Sequence, residues 1–375
     1  MSALETEAKS ILRKYKRVNS WFITSYGMNF YRGCTHDCAY CDGRAENYYT
    51  KGDFSKDITV KINAVEVLRK ELDPKRRRKK LRRSFIMPCG GVGDSYEPLE
   101  KKYKLTRRAL EVLYEFNFPV HILTKSSLVE RDIDLLKKIN KQNKVIISFS
   151  FSTADDKIAK IFEPGTTPPS QRLEVIKKFK SEGFNCGMFL MPVIPFVTDT
   201  PEKIYESIKQ GKEAGIDFVI FSGMTLKEGK QKDYFMNVIK RHYPQLELEY
   251  NNIYPYNKWG NSTKEYYQTL NFTFDSVTKK LKVAKRIPSY IFKNVLAEND
   301  FVSVILDQID YLLKLKGYKS NFGFAAYSIS QLVESLSTQR GKLKQIKGVG
   351  PAVEKIIWEI LDTGTSKYYE KLLYK

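Results

Sequence analysis

Cys34, Cys38 and Cys41 fall within one short stretch, Tyr31-Arg-Gly-Cys-Thr-His-Asp-Cys-Ala-Tyr-Cys41, at a C-x3-C-x2-C spacing. Thiolates are the usual protein ligands of iron–sulfur clusters, and a cubane cluster has four irons. Three cysteines leave one iron without a protein ligand, and an open iron binds a substrate or cofactor. A cluster in such a loop can take part in a reaction as well as carry electrons. A zinc loop built from the same cysteines with His36 is one alternative. Structural zinc takes two ligand pairs separated by a longer stretch, and no second pair follows here. A disulfide is the other alternative.

These residues need a frame to position them. Short apolar runs at 84–87, 120–123, 145–149, 186–191 and 218–221 read as buried strands. Amphipathic helical patterns alternate with them near 54–72, 104–116, 127–139, 170–182 and 201–214. With a strand leading into Cys34 this makes six β/α units and predicts an α/β fold, a partial (β/α)6 barrel. In β/α barrels the active site lies at the C-terminal ends of the strands. The loop after 84–87 reads Cys89-Gly-Gly-Val-Gly-Asp-Ser-Tyr-Glu-Pro98, where Gly90 and Gly91 let the backbone approach a ligand closely. Ser148 and Ser150 end the fourth strand, with hydroxyls suited to a ribose or a carboxylate. The segment Glu163-Pro-Gly-Thr-Thr-Pro-Pro-Ser-Gln-Arg172 follows, and Met191-Pro-Val-Ile-Pro195 ends the fifth strand.

The cysteine spacing and the aromatic Tyr40 before the last cysteine resemble the radical S-adenosylmethionine (SAM) superfamily. The resemblance implies a 4Fe-4S cluster on Cys34, Cys38 and Cys41 with SAM chelating the open iron. It further implies an external one-electron donor and cleavage of SAM to a 5′-deoxyadenosyl radical. A Gly-rich turn such as Gly90-Gly91 then holds the SAM amino group, and Tyr40, Ser148, Ser150, Glu163 and Arg172 become candidates for the cofactor site. The segments 33–44, 91–100, 105–108, 122–134, 163–173 and 192–199 together resemble the spore photoproduct lyase-like group, often labelled DNA repair photolyase. In that group the cysteine loop continues Cys-Tyr-Ala-Arg, whereas this chain has Cys41-Asp42-Gly43-Arg44. Lyases of this group use a cysteine after the second strand to return a hydrogen atom, and Cys89 occupies the matching place as a candidate catalytic donor. A small buried hydrophobe is its other reading, and Cys186, inside an apolar run, reads as core.

The chain has 375 residues and a net charge of +21, which points to a polyanionic partner, most simply nucleic acid. Lys75 opens a run of eight basic residues in nine, continuing through Arg76, Arg77, Arg78, Lys79, Lys80, Arg82 and Arg83. Such a run neutralises phosphates without selecting sequence. No stretch of 18 apolar residues marks a membrane span. Five cysteines, three of them clustered, argue against a disulfide scaffold and fit a reducing cytoplasm.

The last part of the chain lacks β/α alternation and reads as helical. Its centre, Leu343-Lys-Gln-Ile-Lys-Gly-Val-Gly-Pro-Ala-Val-Glu-Lys-Ile-Ile-Trp-Glu-Ile-Leu361, places Gly348 and Gly350 in a tight turn between helices. The second helix then offers its N-terminal amides to an anion. This resembles a helix-hairpin-helix motif and, with its flanks, the N-terminal domain of family X DNA polymerases. Lys347, Gly348, Gly350 and Lys355 are the implied nucleic-acid contacts. The Schiff-base lysine of that family aligns with Ile356, so a binding role is implied. Residues 300–375 carry 11 basic and 8 acidic side chains, so most of the positive charge lies in the first 299 residues.

The expected organisation is an N-terminal helical lead-in at 1–20, a radical SAM partial barrel at 21–235, a barrel extension at 236–299 and a small all-α helix-hairpin-helix DNA-binding domain at 300–375. The expected function is radical SAM chemistry on nucleic acid, with DNA favoured over RNA and repair of a damaged base as the leading reading. Radical modification of RNA and a non-catalytic iron–sulfur DNA-binding or sensing protein are the alternatives.

Overall fold

The computed structural model describes residues 2–48, 52–76, 81–88, 92–339 and 341–375. Its strands are β1 (Ser2–Thr6), β2 (Arg13–Asn19), β3 (Thr24–Gly27), β4 (Tyr31–Arg32), β5 (Asp57–Lys61), β6 (Phe85–Met87), β7 (Val120–Thr124), β8 (Val145–Phe151), β9 (Asn185–Leu190) and β10 (Phe218–Phe221). The larger sheet has the order β10-β9-β8-β7-β6-β3-β2. Neighbours are parallel except that β2 runs antiparallel to β3. The six parallel strands follow the order expected of a partial (β/α)6 barrel, with β3 as the strand that leads toward Cys34. A smaller sheet, β1-β5-β4, lies beside it.

Side chains alternate across a strand. Along β8, Val145, Ile147, Phe149 and Phe151 enter one apolar cluster with Leu136, Ile139, Ile176 and Phe179 of the outer helices. Those helices form because their apolar residues recur at helical spacing. In Pro201–Glu213, Ile204, Ser207, Ile208 and Gly211 are the buried positions, Pro201 begins the first turn, and the Thr200 hydroxyl accepts from the Lys203 amide at 3.3 Å.

The inner face is covered by the C-terminal helices. Ile146, Phe189 and Ile220 pack in one cluster with Ile305 and Ile309 of Glu298–Leu315, and with buried residues of Phe322–Ser330, Pro351–Thr363 and Lys367–Tyr374. Glu298–Leu315 is buried nearly all round, with Ser303, Gln308 and Asp310 among its buried residues, as suits a helix enclosed on several sides. Ser20 donates to Asp307 at 2.6 Å, and Tyr369 donates to Gln308 at 2.6 Å. These helices therefore share a core with the sheet. They sit at the N-terminal ends of the strands: Arg82, just before β6, pairs with Asp300 at 3.2 Å; the amide of Val219 near the start of β10 donates to the Ala284 carbonyl at 2.8 Å, and the amide of the adjoining Lys285 donates to the Leu373 carbonyl at 3.2 Å.

Three local expectations change. Two separate strands, β1 and β2, stand at 2–6 and 13–19 where a helical lead-in is expected; β1 finds its partner in β5 and β2 in β3. The helix expected over 54–72 begins only at Ala64, because Asp57-Ile-Thr-Val-Lys61 is β-branched and alternating and pairs as β5. In the C-terminal hairpin the first arm is a 3-10 turn, Leu343–Gln345, with Gly348 at φ +86° and Gly350 capping Pro351–Thr363. No described helix is long and apolar enough to cross a membrane.

Candidate active site

The cysteine loop is held from several sides. The amide of Cys34 donates to the Phe54 carbonyl at 3.0 Å, and that of Ala39 to the Phe162 carbonyl at 2.8 Å. Arg44 is buried, donates from Nε to the Cys38 carbonyl at 3.1 Å, pairs with Asp37, and stacks over the Tyr234 ring at 3.6 Å. Gly43 explains its own departure from the related loops: a Cβ there would lie 2.3 Å from the Phe54 ring. Gly165 does the same for the facing segment, since a Cβ would lie 2.4 Å from the Thr35 carbonyl oxygen, and its amide donates to the His36 carbonyl at 3.0 Å.

Cys34, Cys38 and Cys41 line one cavity of about 340 Å³. All three are free thiols, and burial pushes each of them up, so as bare side chains they stay protonated. A bound metal centre reverses that preference, because cysteine ligates as thiolate. Among the described residues no three His, Cys, Asp or Glu side chains group tightly enough to hold a single ion. Three thiols spread around one cavity suit a multi-iron cluster better than a lone zinc. His36 lines the same cavity, and its Nδ1 lies 3.5 Å from Asp94. Burial lowers its pKa against the pull of Asp94.

The opposite wall comes from the C-terminal ends of the strands. Lys125, immediately after β7, donates to the Ser150 hydroxyl at 2.8 Å and to Glu163 at 3.3 Å. Asp94 accepts from the Thr124 hydroxyl at 2.8 Å and from the Lys125 amide at 2.7 Å, tying the loop after β6 to the end of β7. Asp42 accepts from Thr225 at 2.8 Å and from Lys227 at 2.7 Å, tying the cysteine loop to the segment after β10. Lys125, Asp94, Asp42 and Thr225 all line the cavity. Sequence reading passes over Lys125 and Thr225, meets Asp94 only within the loop after the second strand, and meets Asp42 only as a departure from the related cysteine loops. For Lys125 the signal was present, since a charged residue directly after an apolar strand belongs at a barrel mouth.

The residues expected at the site divide. Tyr40 and Ser150 line the cavity. Glu163 and Arg172 stand behind it, both fully buried. Arg172 holds Glu163 at 2.5 Å and donates to the carbonyls of Ser150 at 2.7 Å and Thr167 at 2.6 Å; the Tyr40 hydroxyl donates to Glu163. Burial would raise the Glu163 pKa, but the Arg172 guanidinium and the Lys125 ammonium outweigh it and hold the carboxyl well below the usual range. This pair is a brace between the 163–172 segment and the strand ends. Ser148 is a correction: two residues earlier on the same face, it lies deeper, fully buried, and bonds to Nε2 of His121 at 2.9 Å. Cys186 is buried in the core as expected.

Cys89, Gly90 and Gly91, and Arg77, Arg78, Lys79 and Lys80 of the basic run, lie outside the described residues. Arg76 is exposed at the end of a short 3-10 turn. Arg82 pairs with Asp300, and Arg83 donates to the Asn294 carbonyl at 2.9 Å. These flanks and the Gly348–Gly350 turn belong to the C-terminal helical end, away from the cysteines. Lys347 and Lys355 stand on either side of that turn.

Comparison with known proteins agrees with this geometry. An uncharacterized protein of Mycobacterium tuberculosis is 32% identical over 233 residues, spanning 61% of this chain and 67% of that protein. Spore photoproduct lyase of Bacillus subtilis is 28% identical over 120 residues, 30% of this chain and 33% of that enzyme. The solved structure of a spore photoproduct lyase complexed with dinucleoside spore photoproduct shares the fold, with a TM-score of 0.53 at 16% identity over 74% of this chain and 79% of that one. Residues 28–208 match the Radical SAM superfamily. With three cysteines around one cavity at the C-terminal ends of a parallel sheet, residues 28–208 form a radical SAM domain.

Proposed function

We propose that this radical SAM protein acts on nucleic acid, as a repair enzyme for a damaged DNA base. The observation that carries the reading is the shared cavity: three cysteine thiols on one wall, and Lys125, Ser150 and Asp94 on the other. The superfamily implies a 4Fe-4S cluster and SAM. When bound, they supply one-electron cleavage of the sulfonium C–S bond and with it a primary carbon radical.

The protein's own groups do the rest. The Lys125 ammonium and the Ser150 hydroxyl suit the carboxylate of SAM, and the Asp94 carboxylate suits its amino group. The buried Glu163–Arg172 brace keeps Lys125 and Tyr40 in place, which limits the room for misplaced chemistry. Gly90 and Gly91 are proposed to complete the SAM site. Cys89, two residues beyond β6, is proposed to return a hydrogen atom to the substrate.

The net charge of +21 supports a polyanionic substrate. The lyase of shared fold, which was solved with dinucleoside spore photoproduct, supports a damaged-DNA substrate by analogy. In this reading the basic run neutralises phosphates, and the Gly348–Gly350 turn is a duplex anchor at the far end of the sheet.

The test is anaerobic reconstitution with iron and sulfide, then reduction with dithionite in the presence of SAM, with and without UV-damaged duplex DNA. Formation of 5′-deoxyadenosine stimulated by damaged DNA, with restoration of the bases, is the expected outcome. Deoxyadenosine indifferent to DNA would sink the repair reading and direct the search to RNA. A full cluster with no deoxyadenosine would favour a sensing role.

A further inference from the structure

The nucleic-acid reading leaves a gap at the cavity mouth, because the described flanks of the basic run and the hairpin lie at the opposite end of the sheet. A different segment adjoins the cavity wall. Tyr256 is 84% exposed and Trp259 is 62% exposed, in the loop 254–263. Large aromatic rings usually bury most of their surface.

That loop is braced against the cavity rim. The hydroxyl of the buried Tyr254 donates to the Met224 carbonyl at 2.9 Å, and the Leu226 amide donates to the Gly260 carbonyl at 2.7 Å. Gly260 has φ +64°, and a Cβ there would lie 2.4 Å from the Leu226 carbonyl carbon, so the approach needs glycine. Met224 and Thr225 line the cavity itself. Internally, Asn257 Oδ1 accepts from the amides of Asn261 at 3.0 Å and Trp259 at 3.2 Å, while Nδ2 donates to the Asn261 carbonyl at 2.8 Å. The amide of Thr263 closes the loop on the Ile253 carbonyl at 2.8 Å. The exposed rings are thus presented by a structured loop whose base adjoins the cavity wall. Lys258 lies in this loop with its ammonium 5.4 Å from the Trp259 ring centroid, Lys264 opens the helix that follows, and no acidic residue occurs between Glu249 and Glu265.

We propose that the 254–263 loop is a stacking platform for an unpaired stretch of DNA at the cavity mouth. Trp259 and Tyr256 take the base faces, and Lys258 takes a phosphate. The inference rests on the nucleic-acid reading above and names how the substrate strand is held. A base inside a duplex cannot reach a recessed site and must leave the stack. Aromatic platforms hold the opened strand without regard to sequence.

The test titrates the full-length protein with a thymidine homopolymer of about 12 nucleotides, a length within the usual single-strand site sizes, and with a duplex of equal length. Fluorescence anisotropy reads the affinity, and tryptophan quenching reads the stacking. Trp259→Ala is expected to weaken single-strand binding by roughly ten-fold and Tyr256→Ala by several-fold, with duplex binding and the unfolding midpoint unchanged. Trp259→Phe is expected to keep most of the affinity and lose the quenching. Unaltered single-strand affinity in the Trp259→Ala, Tyr256→Ala double variant would overturn the platform and leave the nucleic-acid reading standing. Failure of the unsubstituted protein to bind either DNA form would overturn both.

Discussion

The inner face of the larger sheet is finished in opposite ways at its two ends. At the N-terminal ends of the strands, Phe85, Ile146 and Phe218 meet Ile305 and Ile309 in an apolar plug. At the C-terminal ends the same face turns polar, with Ser150, Lys125 and Asp94 around a cavity. Apolar burial is non-directional and tolerates small changes of shape. The polar end relies on a few paired groups, each costly to strand once its partner is gone. The plug spreads its stability over many side chains, while the cavity concentrates its order in a handful of ion pairs and hydrogen bonds.

The comparison can be broken at either end. Cys38→Ala removes a thiol from the cavity and should abolish SAM cleavage, read as deoxyadenosine, while the unfolding midpoint of the metal-free chain barely moves. Arg172→Met should cost about 3–5 kcal/mol, because it leaves Glu163 buried without its nearest partner. Adding Glu163→Gln should recover most of that loss in urea unfolding, and no recovery would mean the brace is not an electrostatic pair.

His121 sharpens the comparison, since it lies on the inner face between the two ends. Its Nδ1 meets the Phe22 carbonyl at 2.7 Å, and burial pushes its pKa down to about 4. Below the ordinary histidine value the unfolded chain gains a proton that the folded chain refuses. Stability is therefore full above about pH 6.5 and is lost as pH falls toward 4, by on the order of 3 kcal/mol. Unfolding midpoints at pH 7.5 and 4.5 check the slope, which His121→Gln should flatten. The smallest effect is expected in the plug: Ile305→Val should cost about 1 kcal/mol and leave SAM cleavage per folded molecule unchanged.

Local pattern carried the barrel strands, because 145–149 and 218–221 are apolar on both faces and bounded by turn residues. It also carried the cysteine loop, whose meaning lies in spacing within eight residues. What it missed depends on distant partners. Ser2–Thr6 becomes a strand only because Asp57–Lys61 is there to pair with it. Ser148 and Ser150 are equivalent in sequence, and only the depth of the strand in the sheet puts one beside His121 and the other in the cavity. The helices of the C-terminal segment were legible, but the face of the barrel they cover was not.

The hydrogen bond from Ser20 to Asp307 spans 287 positions in the chain, and it sets an order of events during synthesis. The last barrel strand ends at Phe221, whereas the covering helix runs from Glu298 to Leu315. At ordinary translation speeds the ribosome needs on the order of ten seconds to cross that interval. Throughout it the covering helix is not yet available to the inner apolar wall of the barrel strands. The demand this protein places on chaperones is therefore timed by how fast residues 222–315 are translated.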